Sequence, residues 1–229
     1  MNNQWQAEVG TFAQGDTTQR HRVLRNTYWL LAISLIPTVL GAYIGLKTGI
    51  VANLRGGMGL VVFLAGAYGF MFGIHKFKNS GVGVALLLAF TFFMGLMLSR
   101  MLSMVLGMGN GESLVMTAFG ATAGVFFTMA SLATVIKRDL SGMGKWLFVG
   151  ALVVLFGAII NVFVGSTAGF MAISMLCVGV FSLYMLYDIK QILDGGETNY
   201  VTATLSLYLD IYNVFQGLLA LFGLGGGSD

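Results

Sequence analysis

Two carboxylates stand where carboxylates are costly. Asp188 lies in the apolar run Leu183-Tyr-Met-Leu-Tyr187-Asp188-Ile-Lys190, and Asp210 lies in Ser206-Leu-Tyr-Leu-Asp210-Ile-Tyr-Asn213-Val-Phe-Gln216-Gly. A charge at the centre of a membrane helix costs at least ~2.5 kcal/mol, so intramembrane acids mark functional sites by default. Two such acids brought together cannot both ionise cheaply, and would titrate as one coupled unit. A shared proton would hold them together; its loss, or the entry of a cation, would part them. That chemistry describes a pH- and cation-sensitive gate. Otherwise, each acid bonds separately to neighbouring polar groups and only fixes helix packing.

The surrounding pattern supplies the elements that must position them. Of the 229 residues, 57% are hydrophobic and 9% are charged, against about 25% charged in soluble domains. Seven apolar runs approach or exceed the roughly 17–25 residues that cross a bilayer. The sequence therefore predicts an all-α polytopic membrane protein with seven transmembrane helices, near 26–46, 58–74, 82–98, 114–136, 146–164, 170–193 and 200–222. Residues 1–25 read as a polar, mobile N-terminal tail before a single seven-helix domain over 26–229. Pro37 should kink or loosen the first helix. No removable signal segment is expected.

Distribution of charge sets the orientation. With the N-terminus inside, nine of the twelve Lys and Arg residues face the cytoplasm, and only Lys47, Arg55 and Arg100 face outward. The positive-inside rule therefore places the N-terminus in the cytoplasm and the C-terminus outside. The net charge of +3 reflects this arrangement and gives no nucleic-acid signature. Both aspartates then enter from the cytoplasmic side, Asp188 at ~7.5 Å from the end of its helix and Asp210 at ~15 Å from the start of its own. Tilt must close that gap if they meet.

On the last helix, Thr202, Ser206, Asp210, Asn213 and Gly217 form one polar or small stripe, and Ser174, Cys177, Phe181, Tyr184 and Asp188 form a comparable line on the sixth. Such stripes turn toward protein or water rather than lipid. Ser206, Asn213 and Tyr184 are the supporting polar residues of the candidate site. His75, Lys78 and Arg100 are possible cationic counterparts, though Lys76 and Lys78 most simply snorkel to the interface. Gly41/Gly45, Gly69/Gly73 and Gly120/Gly124 carry the small-xxx-small spacing of close helix packing.

Other chemistries lack their residues. His21, His75 and Cys177 have no metal-ligand spacing. Gly142-Met-Gly-Lys145 is not a P-loop, and no Ser/His/Asp constellation is present. Neither aspartate carries the Gly-x-Gly-Asp surround of two-aspartate intramembrane proteases. No catalytic residue and no cofactor is expected.

These residues together resemble the Bax-inhibitor-1 family. The runs ending in Asp188 and spanning Asp210 look like its signatures, as does Lys137-Arg138-Asp139-Leu-Ser141. His21-Arg-Val-Leu-Arg-Asn-Thr-Tyr28 and Gly195-Gly-Glu-Thr-Asn-Tyr200 are similar to its bacterial YccA-like branch. The resemblance implies helices 1–6 around a central helix 7, with Asp188 and Asp210 as the family's pH-sensing pair. It implies a bacterial inner-membrane protein that leaks calcium or affects calcium and proton balance. It also implies a basic latch at the end of helix 2, where Lys78 is the nearest candidate and His75 the alternative. Arg100 stands where relatives tend to carry proline, a change without an account.

The first functional expectation is thus a pH-sensitive cation leak, passing Ca²⁺, gated by Asp188 and Asp210. Calcium takes six to eight oxygens and two carboxylates give at most four, so binding there would be weak. The second, also implied by the resemblance, is a non-conducting modulator of the membrane-anchored AAA protease that degrades membrane proteins, acting through the cytoplasmic tail.

Overall fold

The computed structural model describes residues 2–51, 54 and 57–225, with side chains placed for 18–51, 54 and 57–224. The described residues form seven helices: α1 (Asn2–Thr48), α2 (Met58–Phe77), α3 (Gly81–Leu106), α4 (Gly111–Val135), α5 (Met143–Val164), α6 (Thr167–Asp194) and α7 (Tyr200–Gly225). Each contains a segment long and apolar enough to cross a membrane. Large apolar side chains cover the outside, including Phe72, Trp146 and Phe163 at 72%, 79% and 82% exposure. In water this surface would drive aggregation; in lipid it needs no partner.

α7 is the centre. It touches α1, α2, α3, α4 and α6, while α5 packs on α6 alone. Polar groups of α7 find their partners inside the bundle. Thr38 Oγ1 lies 2.9 Å from the Ser34 carbonyl and shares a hydrogen bond of 2.9 Å with the Tyr208 hydroxyl, which also reaches the Thr91 carbonyl at 3.4 Å. The Tyr212 hydroxyl donates to the Met94 carbonyl at 3.2 Å. These bonds tie α7 to α1 and α3 in a medium where an unmet hydroxyl has no water to turn to.

α1 and α3 are packed backbone to backbone. A Cβ on Gly41 would run into the Phe92 carbonyl, and one on Gly95 into the Thr38 carbonyl. Each glycine admits the other helix, which is why this crossing can be so close.

The observed helices follow the predicted spans with two differences. The first concerns α1, which begins at Asn2, so that residues 2–25, predicted as a mobile tail, continue the helix of the first span. No proline interrupts them, and a helix already nucleated inside the bilayer propagates at little cost. Pro37 does not end α1 either. The second is that α3 runs on to Leu106, following the apolar pattern that continues to Met108 in the sequence, which places the exposed Arg100 within the helix. At the turn between α6 and α7, Gly195, at φ +84°, ends α6, and the Asn199 side chain caps α7.

Candidate functional site

α6 and α7 form an antiparallel hairpin whose facing stripes meet along their length. At the end away from the connecting loop, a Cβ on Gly217 would meet Val178 Cγ2 at 2.7 Å and the Ser174 carbonyl at 3.1 Å. One turn inward, the Cys177 thiol points to the Asn213 carbonyl at 3.6 Å. Nearer the loop, Asp188 meets α7. Gly217→Val should therefore wedge the two helices apart, lowering thermal stability in detergent by about 1–3 kcal/mol; an unchanged melting temperature would contradict the close approach.

Asp188 and Asp210 stand close enough to interact, with Ser206 beside Asp188. Asp188 is half-buried and Asp210 is 3% exposed. The expected depth mismatch is closed by geometry. Asp188 is six residues from the end of α6 and Ser206 six from the start of α7, so these two are level across the hairpin. Asp210 sits one turn deeper, ~6 Å. Helical side chains lean toward their own N-terminus. In α6 that direction is deeper into the membrane, and in α7 it is toward the loop, so the two carboxyls lean toward each other.

Asp210 Oδ2 is buried and receives no hydrogen bond from any N–H or O–H among the described residues. The carboxyl that acts on Asp210 most strongly is that of Asp188. Only a proton carried by one of the two acids turns that contact from a repulsion into a bond.

A cavity of about 200 Å³ opens beside the pair, lined by Tyr187, Asp188, Gln191, Gly196, Glu197, Ala203 and Ser206. Glu197 is fixed in its wall: Oε1 accepts from Asn199 N–H at 2.7 Å and Oε2 from the Thr202 hydroxyl at 2.9 Å. Tyr184 stands close enough to both aspartates to feel their charge, its ring stacked on Phe181 at 5.7 Å. Among the described residues, no group of three or more His, Cys, Asp or Glu side chains is placed to hold a metal ion. A cation at this site would have two carboxylates at most, with water completing its shell.

The remaining predicted residues lie elsewhere. Asn213 turns back to the Leu209 carbonyl of its own helix at 2.8 Å and does not join the pair. His75 is exposed, with Nδ1 at 2.9 Å from the Met71 carbonyl. Neither His75 nor Lys78 forms an ion pair with either aspartate, so the structure brings no basic latch to the site. Among the described residues the ion pair present is Lys190 with Asp194 at 2.6 Å.

Glu197 and Gln191 went unseen in the sequence as site residues. The signal available was the acid in Gly195-Gly-Glu197, close in sequence to both stripes. Beyond the membrane spans, Asp139 accepts from the backbone N–H of Ser141 at 2.8 Å and its hydroxyl at 2.9 Å, which hold its carboxyl below the usual range. This tie is present at neutral pH and is lost as pH falls through the lowered value. Ser141→Ala should bring Asp139 back toward an ordinary carboxylate titration, as followed by NMR; an unmoved titration would contradict the assignment.

Comparison with known proteins shows the family to which the chain is similar. The family described as "Inhibitor of apoptosis-promoting Bax1" matches residues 20–227. An uncharacterized membrane protein of Vibrio cholerae is 37% identical over 93% of this chain and 94% of its own. The Escherichia coli K12 protein named "Modulator of FtsH protease YccA" is 37% identical over 89% of this chain and 90% of its own. A second E. coli relative, with the same identity and coverage, is named "Inner membrane protein YccA". The match takes in all seven spans and both aspartates, and the chain belongs to the Bax inhibitor-1 family.

Proposed function

We propose that this chain is a multi-pass inner-membrane protein, not itself an enzyme, that modulates an FtsH-type membrane-anchored AAA protease. What carries the reading is similarity across nearly the whole chain to a relative named for that role. The shape of α1 supports it. Its 47 residues would extend ~70 Å as one helix, more than twice the ~30 Å hydrocarbon core. The apolar run of the first span starts near Asn26, leaving the polar residues 2–25 of α1 beyond it on the N-terminal side. With nine of twelve basic residues on that side, the extension faces the cytoplasm, within reach of a protease working there. Co-purification of the protease with the full chain and with a chain lacking residues 2–17 tests this. The reading expects capture by the full chain and weakened capture by the shortened one. Equal capture by both would remove α1 from the account.

A second reading is favoured by one observation, the carboxyl contact between α6 and α7. In it the chain is a pH-sensitive cation leak, with Ca²⁺ as permeant ion and Asp188 and Asp210 as gate. Below the pH at which the shared proton leaves, the pair holds α6 to α7. Above it two anions face each other, the helices part, and a hydrated cation can enter by the cavity at Glu197. Weak two-carboxylate binding suits passage, because a permeant ion must also leave. The two readings are compatible in one molecule.

A further inference from the structure

Asn199 uses every hydrogen-bonding position of its side chain, two donors and two acceptor sites. Oδ1 accepts from Val201 N–H at 2.9 Å and Thr202 N–H at 3.2 Å, which caps α7. Nδ2 donates to the Lys78 carbonyl at 3.2 Å and to Asn79 Oδ1 at 2.7 Å. Both acceptors belong to the turn that joins α2 to α3. The same residue therefore starts the central helix and holds a turn about 120 residues away in sequence.

The turn itself is stiff. Ser80 N–H donates to the Phe77 carbonyl at 2.9 Å and Ser80 Oγ donates to it at 2.9 Å. A Cβ on Gly83 would collide with that carbonyl. α2 leans chiefly on α3, so its inner end reaches α7 through this contact. Ser206 is seven residues from Asn199, ~10 Å along the axis, and a helix transmits an axial push over two turns with little compliance. Glu197, which fixes Asn199 N–H, also lines the cavity at Asp188.

We propose that Asn199 is a positioning residue: a clasp that couples the α2–α3 turn to the axial position of α7, so that a displacement of the turn is felt at Ser206 and Asp210. The consequence for gating rests on the leak reading, but the clasp is tested without it.

The test is a double-mutant cycle read by amide hydrogen exchange on the full chain in nanodiscs. Asn79→Ala removes one acceptor of the clasp. Asn199→Ser keeps an oxygen that can cap α7 and removes both donors. Asn79→Ala alone should speed exchange in residues 203–207 of α7 about fivefold, the factor matching one hydrogen bond of ~1 kcal/mol. In the Asn199→Ser background, Asn79→Ala should add nothing there. Exchange in α5, which does not touch α7, should stay unchanged throughout. An Asn79→Ala effect confined to the turn, one of equal size in both backgrounds, or one that reaches α5 equally would each overturn the proposal. Since neither flux nor protease enters the measurement, a failure here leaves both functional readings standing, and their failure leaves the clasp standing.

Discussion

Gly95→Val leaves little folded protein. At this position α3 rests directly on the backbone of α1, and a Cβ would fall on the Thr38 carbonyl and within 3.0 Å of the Ala42 N–H nitrogen. No side chain can swing aside, because the obstacles are main-chain atoms. Relief requires moving α1 away from α3, which also strains the bonds from Tyr208 to Thr38 and from Tyr212 to Met94. Overpacking usually costs about 1–3 kcal/mol where side chains can adjust; here the loss should lie at or above the upper end. The measurement is the melting temperature and monodisperse yield in mild detergent. Gly124→Val is the control, since nothing lies within 4 Å of a Cβ there, and it should behave as wild type. Equal yields and melting temperatures for the two variants would contradict the interlocked crossing.

Asp210→Asn abolishes the pH dependence of any cation leak. The amide can donate to Asp188 without a titrating proton, so the contact between α6 and α7 persists across the range in which the acid pair would lose it. Calcium flux into liposomes containing the wild type should rise with pH, as the shared proton leaves and two carboxylates repel each other. With Asp210→Asn the flux should stay at its low-pH level. Asp188→Asn should do the same, because the contact is mutual. Flux that keeps its pH dependence in both Asn variants would remove the pair from the mechanism.

The sequence carried the spans and singled out the two aspartates because both follow from simple costs. Apolar runs of membrane length can only be helices in lipid, and acids inside them must face one another or water. What it could not carry depended on relative position. Gly41/Gly45, Gly69/Gly73 and Gly120/Gly124 share one spacing, yet Gly41 and Gly45 alone among them sit at a tight crossing, while Gly69, Gly120 and Gly124 have open space. A small residue permits a close neighbour without requiring one. The depth of Asp210 appeared wrong for pairing because residue counts place Cα atoms, whereas the opposite lean of side chains on antiparallel helices places the carboxyls. Asn213 shares the stripe but is satisfied by its own helix, an option open to any asparagine in a helix. The bonds of Asn199 to Lys78 and Asn79 were not legible either, since they reach a turn that only the folded bundle brings near.

The central claim, modulation of an FtsH-type protease, is most directly tested by reconstitution. Purified protease and a membrane substrate are placed in liposomes with and without this protein at equimolar amounts, and substrate degradation is followed over time. The account predicts a changed degradation rate and co-purification of the two proteins after solubilisation. An unchanged rate with no co-purification would contradict it.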